Sequence, residues 1–157
     1  MDNDRYILVI ADGSKEMEVA LQYACARSKK TNRKIIIATF IEPVDVLTTQ
    51  GVTEIMKNEA REEAEKRIQH ASSIVKESTG ITPVIHIREG EIIHELKSLI
   101  EEEKNINVLV LSASIDEKEK NPGPIINSLL TKELANFRIP IMIVPGNFSK
   151  EHISHIT

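Results

Sequence analysis

Five short runs that are rich in apolar residues constrain the fold of this chain more than any other feature. Each run stops at residues that favour turns, such as Asp12-Gly13 after the first run and Glu42-Pro43 after the second. A run of this kind is typical of a β-strand that is buried on both faces of a sheet. We therefore predict five strands, over Tyr6–Ala11, Lys34–Ile41, Thr82–Ile87, Val108–Leu111 and Pro140–Pro145.

Amphipathic segments lie between these runs, with apolar residues three and four positions apart. In the longest segment we predict one apolar stripe, and charged residues that include Arg67 on the solvated side. The stripe consists of Val52, Met56, Ala60, Ala64, Ile68, Ala71 and Val75. The alternation of strands and helices predicts an α/β protein with one open, doubly wound parallel sheet. The predicted helices run from Ser14, as N-terminal cap, to about Lys30, from Val52 to Ser78, from Ile92 to Ile100 and from Ile125 to Phe137.

Composition narrows the class of protein further. The net charge is -4, and the chain has no Trp, two Tyr and three Phe, so it lacks the basic face and the stacking platforms that a nucleic-acid binder needs. No apolar run approaches the length of a membrane span. The polar start resembles no signal peptide, and we expect a cytoplasmic protein with Cys25 as a buried, inert thiol.

The chain contains no interior linker and no repeat. We therefore predict one domain over residues 1–146, followed by a loose tail over residues 147–157.

In a doubly wound sheet, ligands bind beyond the carboxyl ends of the strands. There the sequence has none of the glycine-rich phosphate loops or nucleophile motifs that identify common enzymes of this class. The pairs His152 with His155 and Glu91 with His94 have helical spacing but lack a third ligand, so we predict no metal site. We also find no residue placed as a catalytic base.

Several ordered segments resemble the universal stress protein family. They are Tyr6 to Ser14, Ile37 to Pro43, Arg88 to Ile93, and Val108 to Val144, and together the resemblance covers about residues 5–145. It implies a Rossmann-like, adenine nucleotide alpha hydrolase-like sheet of strand order 3-2-1-4-5, with the fifth strand at an edge.

Family members that bind ATP carry a glycine signature after the fourth strand. In this chain Ser112 and Ile115 stand where its first two glycines would be, and Asn127-Ser128 replaces the final Gly-Ser/Thr pair. Ile115 has a β-branched side chain, whereas the glycine it replaces would let the backbone approach a phosphate closely. The nucleotide pocket that the resemblance implies would consist of Asp12, Gly13, Ser14, Phe40, Gly90, Ser112 and Ser128.

The resemblance implies a dimeric, cytoplasmic stress-response module that is not an enzyme and holds no nucleotide tightly. The homodimer would form through the fifth strand, at Ile141, Met142, Ile143 and Val144, and the protein partners are unknown. One alternative is an ATP-binding regulatory protein that uses Mg²⁺ in the strand-end pocket. A second alternative is a related α/β enzyme that recognises another ligand through Ser112, Ser114 and Asp116.

Overall fold

The computed structural model describes residues 4–43, 50–116, 118 and 121–157. Five strands form the sheet, β1 (Tyr6–Ile10), β2 (Lys34–Ile41), β3 (Val84–Glu89), β4 (Ile106–Ala113) and β5 (Ile141–Pro145). The helices are α1 (Met17–Thr31), α2 (Gln50–Thr79), α3 (Ile92–Glu102), α4 (Pro124–Ser128) and α5 (Lys150–Ile156).

The sheet is parallel throughout and has the order β3-β2-β1-β4-β5. This confirms the predicted fold class and strand order. The prediction for β2 matches at both ends, whereas β3 and β4 extend beyond the predicted runs to Glu89 and Ala113. Polar strand ends of this kind are stabilised by their neighbours in the sheet and carry no apolar signal.

Two apolar cores lie on opposite faces of the sheet. On one face Ile7 and Val9 pack against α1 and α2, and on the other Leu8 and Ile36 pack against α3 and the α4 segment. Successive side chains of β1 and β2 enter the two cores alternately, which explains why the sequences of both strands are continuously apolar.

Cys25 is fully buried in the first core, as predicted. Burial raises the pKa of the Cys25 thiol, while the hydrogen bond with Ser78 and the charge of Lys29 act in the opposite direction. Desolvation dominates because the charged thiolate loses more than the neutral thiol when water is removed.

Ser14 does not cap the first helix, which corrects one expectation. Helix α1 begins at Met17, and its N-cap residue is Glu16, whose side chain makes no capping hydrogen bond. Ser14 instead donates from its backbone N–H and its hydroxyl to the Asp12 carboxylate. Its side chain therefore closes the preceding loop.

The fourth helical segment is less regular than predicted. Helix α4 ends at Ser128 and is followed by one π-helical turn (Leu129–Glu133) and one 3-10 turn (Leu134–Asn136). Phe137 lies beyond the last turn in an extended conformation. Periodicity locates the apolar face of such a segment but does not distinguish these helical types.

The C-terminal segment, which we expected to be loose, contains α5. Ser149 caps this helix by accepting a hydrogen bond from the N–H of His152, and Ile153 is buried where α5 packs on α1. A single buried apolar residue in a polar segment leaves little periodic signal in the sequence. The domain boundary at residue 146 stays a prediction.

Within the described ranges, no helix is both long and apolar enough to cross a bilayer.

Candidate functional site

A cavity of about 340 Å³ lies at the carboxyl ends of β1 and β4. The chain crosses from β1 to β2 on one side and from β4 to β5 on the other, so these two neighbouring strands form the switch point of the sheet. This is where open α/β sheets bind ligands. The polar lining consists of Asp12, Ser14, Glu16 and Ser112, and the apolar wall includes Ile10, Met17, Ile92, Leu111, Ile125 and Ile126.

The loop after β1 is held by the carboxylate of Asp12. Its Oδ1 accepts hydrogen bonds from the N–H of Ser14 at 2.9 Å and from the hydroxyl of Ser14 at 2.7 Å. Gly13 between them has a φ of +75°, a conformation that favours glycine. The second oxygen of Asp12, Oδ2, has no hydrogen-bond partner among the described residues and can still accept a hydrogen bond.

Ser112, the penultimate residue of β4, joins the sheet to the start of α1. Its hydroxyl donates to the backbone carbonyl of Glu16. A serine hydroxyl has one proton, so this bond leaves Ser112 able to accept but not to donate.

The loop after β4 is closed by local hydrogen bonds. Ser114 N–H donates to the carbonyl of Pro122 at 3.0 Å, and Gly123 N–H donates to Oδ1 of Asn121 at 3.0 Å. Pro124 begins α4 and has no N–H. The side chain of Ile115, at the second signature position, is exposed. Glu117, Glu119 and Lys120 lie outside the described residues.

The structure brings three of the seven predicted site residues to the cavity wall, namely Asp12, Ser14 and Ser112. Phe40 is buried in the second core and fills it instead of facing the cavity. Gly90 donates its N–H to the carbonyl of Ile41 and leads into α3. Ser128 ends α4 and does not line the cavity. The binding role of all seven residues stays a prediction.

Arg67 is the residue that sequence reasoning missed. It belongs to α2, and its Nη2 donates to the hydroxyl of Thr39 at 3.1 Å, while Thr39 donates to the carbonyl of Ala11 at 2.7 Å. Its methylene Cδ lies over Gly13, 2.8 Å from where a Cβ would be. Arg67 flanks the buried Ile68, and long charged side chains beside an apolar stripe often lie along the core.

The charged side chains that line the cavity are both acidic. Two carboxylates line it, and no Lys, Arg or His is among its lining residues in the described part of the chain. Asp12 and Glu16 are not within ion-pair distance of a cation anywhere in that part. The cavity therefore favours positive or neutral groups over anions.

A second cavity, of about 400 Å³, lies at the other end of α1. It is lined by exposed lysines, Lys29, Lys30 and Lys150, and by hydroxyls from α2 and α5. None of the predicted site residues reaches it. Because it is remote from the strand ends at the switch point, we take the first cavity as the candidate site.

Among the described residues, no group of three or more His, Cys, Asp or Glu side chains could hold a metal ion.

The model of the Universal stress protein family matches residues 5–145. No curated protein matches the chain.

Solved structures share the fold. The universal stress protein UspA from Lactobacillus plantarum superposes with a TM-score of 0.72 at 12% identity, covering 90% of this chain and 99% of that one. A universal stress protein from Archaeoglobus fulgidus in complex with dAMP has a TM-score of 0.64 at 14% identity and covers 92% and 99%. A universal stress protein in complex with cAMP has a TM-score of 0.59 at 20% identity and covers 93% and 100%.

Proposed function

The chain belongs to the universal stress protein family, and we propose from this premise that it is a dimeric, cytoplasmic stress-response module. It acts by contacts with other proteins, is not an enzyme, and holds no nucleotide tightly. The observation that carries this proposal is the lining of the switch-point cavity, which includes two carboxylates and, among the described residues, no cationic side chain that could bind a phosphate.

A nucleoside triphosphate fits this lining poorly. A phosphate is bound by N–H and O–H donors and by cations, but the hydroxyls of Ser14 and Ser112 already donate within the protein. Asp12 and Glu16 would repel it. The loop from Asp116 to Lys120 has three acids and two lysines, so its net charge of -1 adds no compensation.

The proposed dimer forms through β5. The two edge strands of the sheet are β3 and β5, and they differ in chemistry. Strand β3 carries His86, Arg88 and Glu89, and charged side chains protect an edge from pairing. Strand β5 carries no charge, and Met142 on it is 41% exposed. An apolar, uncharged edge suits pairing with a second copy.

The second candidate is an ATP-binding regulatory protein that uses Mg²⁺. What favours it is that two solved relatives are described as complexes with cAMP and dAMP. The predicted nucleotide residues in this chain are Asp12, Gly90, Ser112 and Ser128, of which only Asp12 and Ser112 line the cavity. The poor fit described above argues against a triphosphate there.

Native mass spectrometry tests both parts of the proposal at once. We expect the purified protein to have the mass of a dimer without a nucleotide adduct. Met142→Glu places a charge on the β5 edge and should shift the population to monomer. Val84→Glu is the matched control, because Val84 lies on the β3 edge and is 42% exposed; this variant should remain a dimer.

A monomeric wild-type protein, or a dimer that Val84→Glu disrupts and Met142→Glu does not, would contradict the proposed interface. A nucleotide mass retained on the purified protein would overturn the nucleotide-free assignment in favour of the second candidate.

A further inference from the structure

We propose that the switch-point cavity binds a small organic cation, namely a primary amine with an apolar body. This inference rests on the proposed function, because it requires the cavity to be free of nucleotide. Its evidence is the balance of hydrogen-bond donors and acceptors on the cavity wall, the charge of the wall and the shape of the apolar surface.

The polar side chains of the cavity offer acceptors and no free donors. Ser14 donates its hydroxyl proton to Asp12, and Ser112 donates its hydroxyl proton to the carbonyl of Glu16. A carboxylate only accepts hydrogen bonds when it is ionised. A ligand that satisfies these side chains must therefore supply the donors itself, and an ammonium group has three.

The carboxylates are available for such a ligand. Asp12 uses Oδ1 for Ser14, and within the described residues neither its Oδ2 nor the carboxylate of Glu16 has a hydrogen-bond partner or an ion pair. Two carboxylates beside an apolar wall attract a cation more strongly than they would in open water.

The apolar wall determines the rest of the ligand. Ile10, Leu111 and Ile125 come from three elements and converge on the cavity. A volume of about 340 Å³ is at the small end of ligand pockets. The cavity therefore suits a ligand with one ring or a short aliphatic chain, bound with its ammonium group near Asp12.

Three probes of similar shape and different charge test this inference. They are phenethylamine, which is a cation at neutral pH, phenethyl alcohol, which is neutral, and hydrocinnamate, which is an anion. Titration of labelled protein, followed by the amide NMR signals of Ser14, Ser112 and Ile125, gives the affinity of each. We expect the amine to bind at least about tenfold more tightly than hydrocinnamate.

Two matched variants locate the charge responsible. Asp12→Asn keeps the Oδ1 acceptor that Ser14 uses, so the loop is retained while the charge is lost. We expect this variant to bind the amine roughly fivefold or more weakly than the wild-type protein, and to bind phenethyl alcohol with unchanged affinity. Asp116→Asn is the control, because Asp116 also accepts from a backbone N–H in a strand-end loop, that of Lys118, but does not line the cavity.

The inference is overturned if hydrocinnamate binds as tightly as the amine, if the two variants change the amine's affinity equally, or if none of the probes moves these signals at about 10 mM. Such a result on a protein that native mass spectrometry finds dimeric and nucleotide-free leaves the proposed function intact. A retained nucleotide would contradict both proposals.

Discussion

Gly146 lies directly after β5, where the chain passes close to two other elements. Its N–H donates to the carbonyl of Ala113 at the end of β4. A Cβ at this position would collide with that carbonyl and would lie 2.7 Å from the Cβ of Glu16. The absence of a side chain at one residue thus lets the end of β5, the end of β4 and the start of α1 approach each other beside the cavity.

We expect Gly146→Ala to lower the free energy of unfolding by about 1–3 kcal/mol. The nearest atom that the new Cβ meets is the backbone carbonyl oxygen of Ala113, and neither this atom nor the Cβ of Glu16 can rotate away. Gly51→Ala is the matched control, since Gly51 lies in α2 with nothing within 4 Å of the added atom. That change should be neutral or stabilising by up to about 1 kcal/mol. Urea unfolding of both variants measures the difference, and equal effects would contradict the packing argument.

At the scale of the element, α5 shows how a short helix is stabilised by its contacts. It spans only Lys150–Ile156, too short to form alone in water. Ser149 satisfies one of its free N–H groups, Phe148 packs edge-on against His152, and Ile153 is buried against α1. The helix exists because the rest of the molecule provides a surface for it.

Ile153→Ala tests this dependence. Ile153 is 3% exposed, and its truncation should lower the free energy of unfolding by about 2–4 kcal/mol through lost burial and a cavity. On the same helix Ile156 is 47% exposed, and Ile156→Ala should change stability by less than about 0.5 kcal/mol. If thermal unfolding shows the two variants to be alike, α5 does not contribute to the folded core.

At the scale of the whole molecule, the two cores share one central sheet. Residues of β1 contribute to both cores and are almost completely buried. The first turns of α2 are different, because Val52, Ile55 and Met56 are exposed. Stability should therefore be unevenly distributed, highest at the centre of the sheet and lowest where α2 begins.

Hydrogen–deuterium exchange measures this distribution directly. We expect the amides of Ile7–Ile10 to exchange slowest, through global unfolding, and those of residues 51–59 to exchange much faster through local opening. The β4 residues Leu109 and Val110, which pair with β1 and are equally buried, serve as an internal reference for slow exchange. Protection of residues 51–59 at the level of β1 would mean that another surface covers the start of α2.

The sequence by itself determined the fold class, the order of the five strands and the first four helical segments along the chain, and the buried stripe of α2 from Ala64 to Val75. These properties depend on local apolar patterns, such as the run over Lys34–Ile41, which the structure reproduces at both ends. It also placed Asp12, Ser14 and Ser112 near the carboxyl ends of β1 and β4, where the cavity lies, although it ended β4 two residues early. The sequence did not reveal α5, nor that the predicted stripe residues Val52 and Met56 are exposed.

The tertiary structure alone decided what those side chains contact. Ser112 meets the carbonyl of Glu16 across 96 positions, Arg67 meets Thr39 across 28, and Gly146 fits against Ala113. The periodicity of apolar residues in the sequence does not reveal such pairs, because each pair depends on how the packing of both cores places distant elements in space. For the same reason the charge balance of the cavity, which determines what it can bind, becomes visible only when the strand-end loops are brought together.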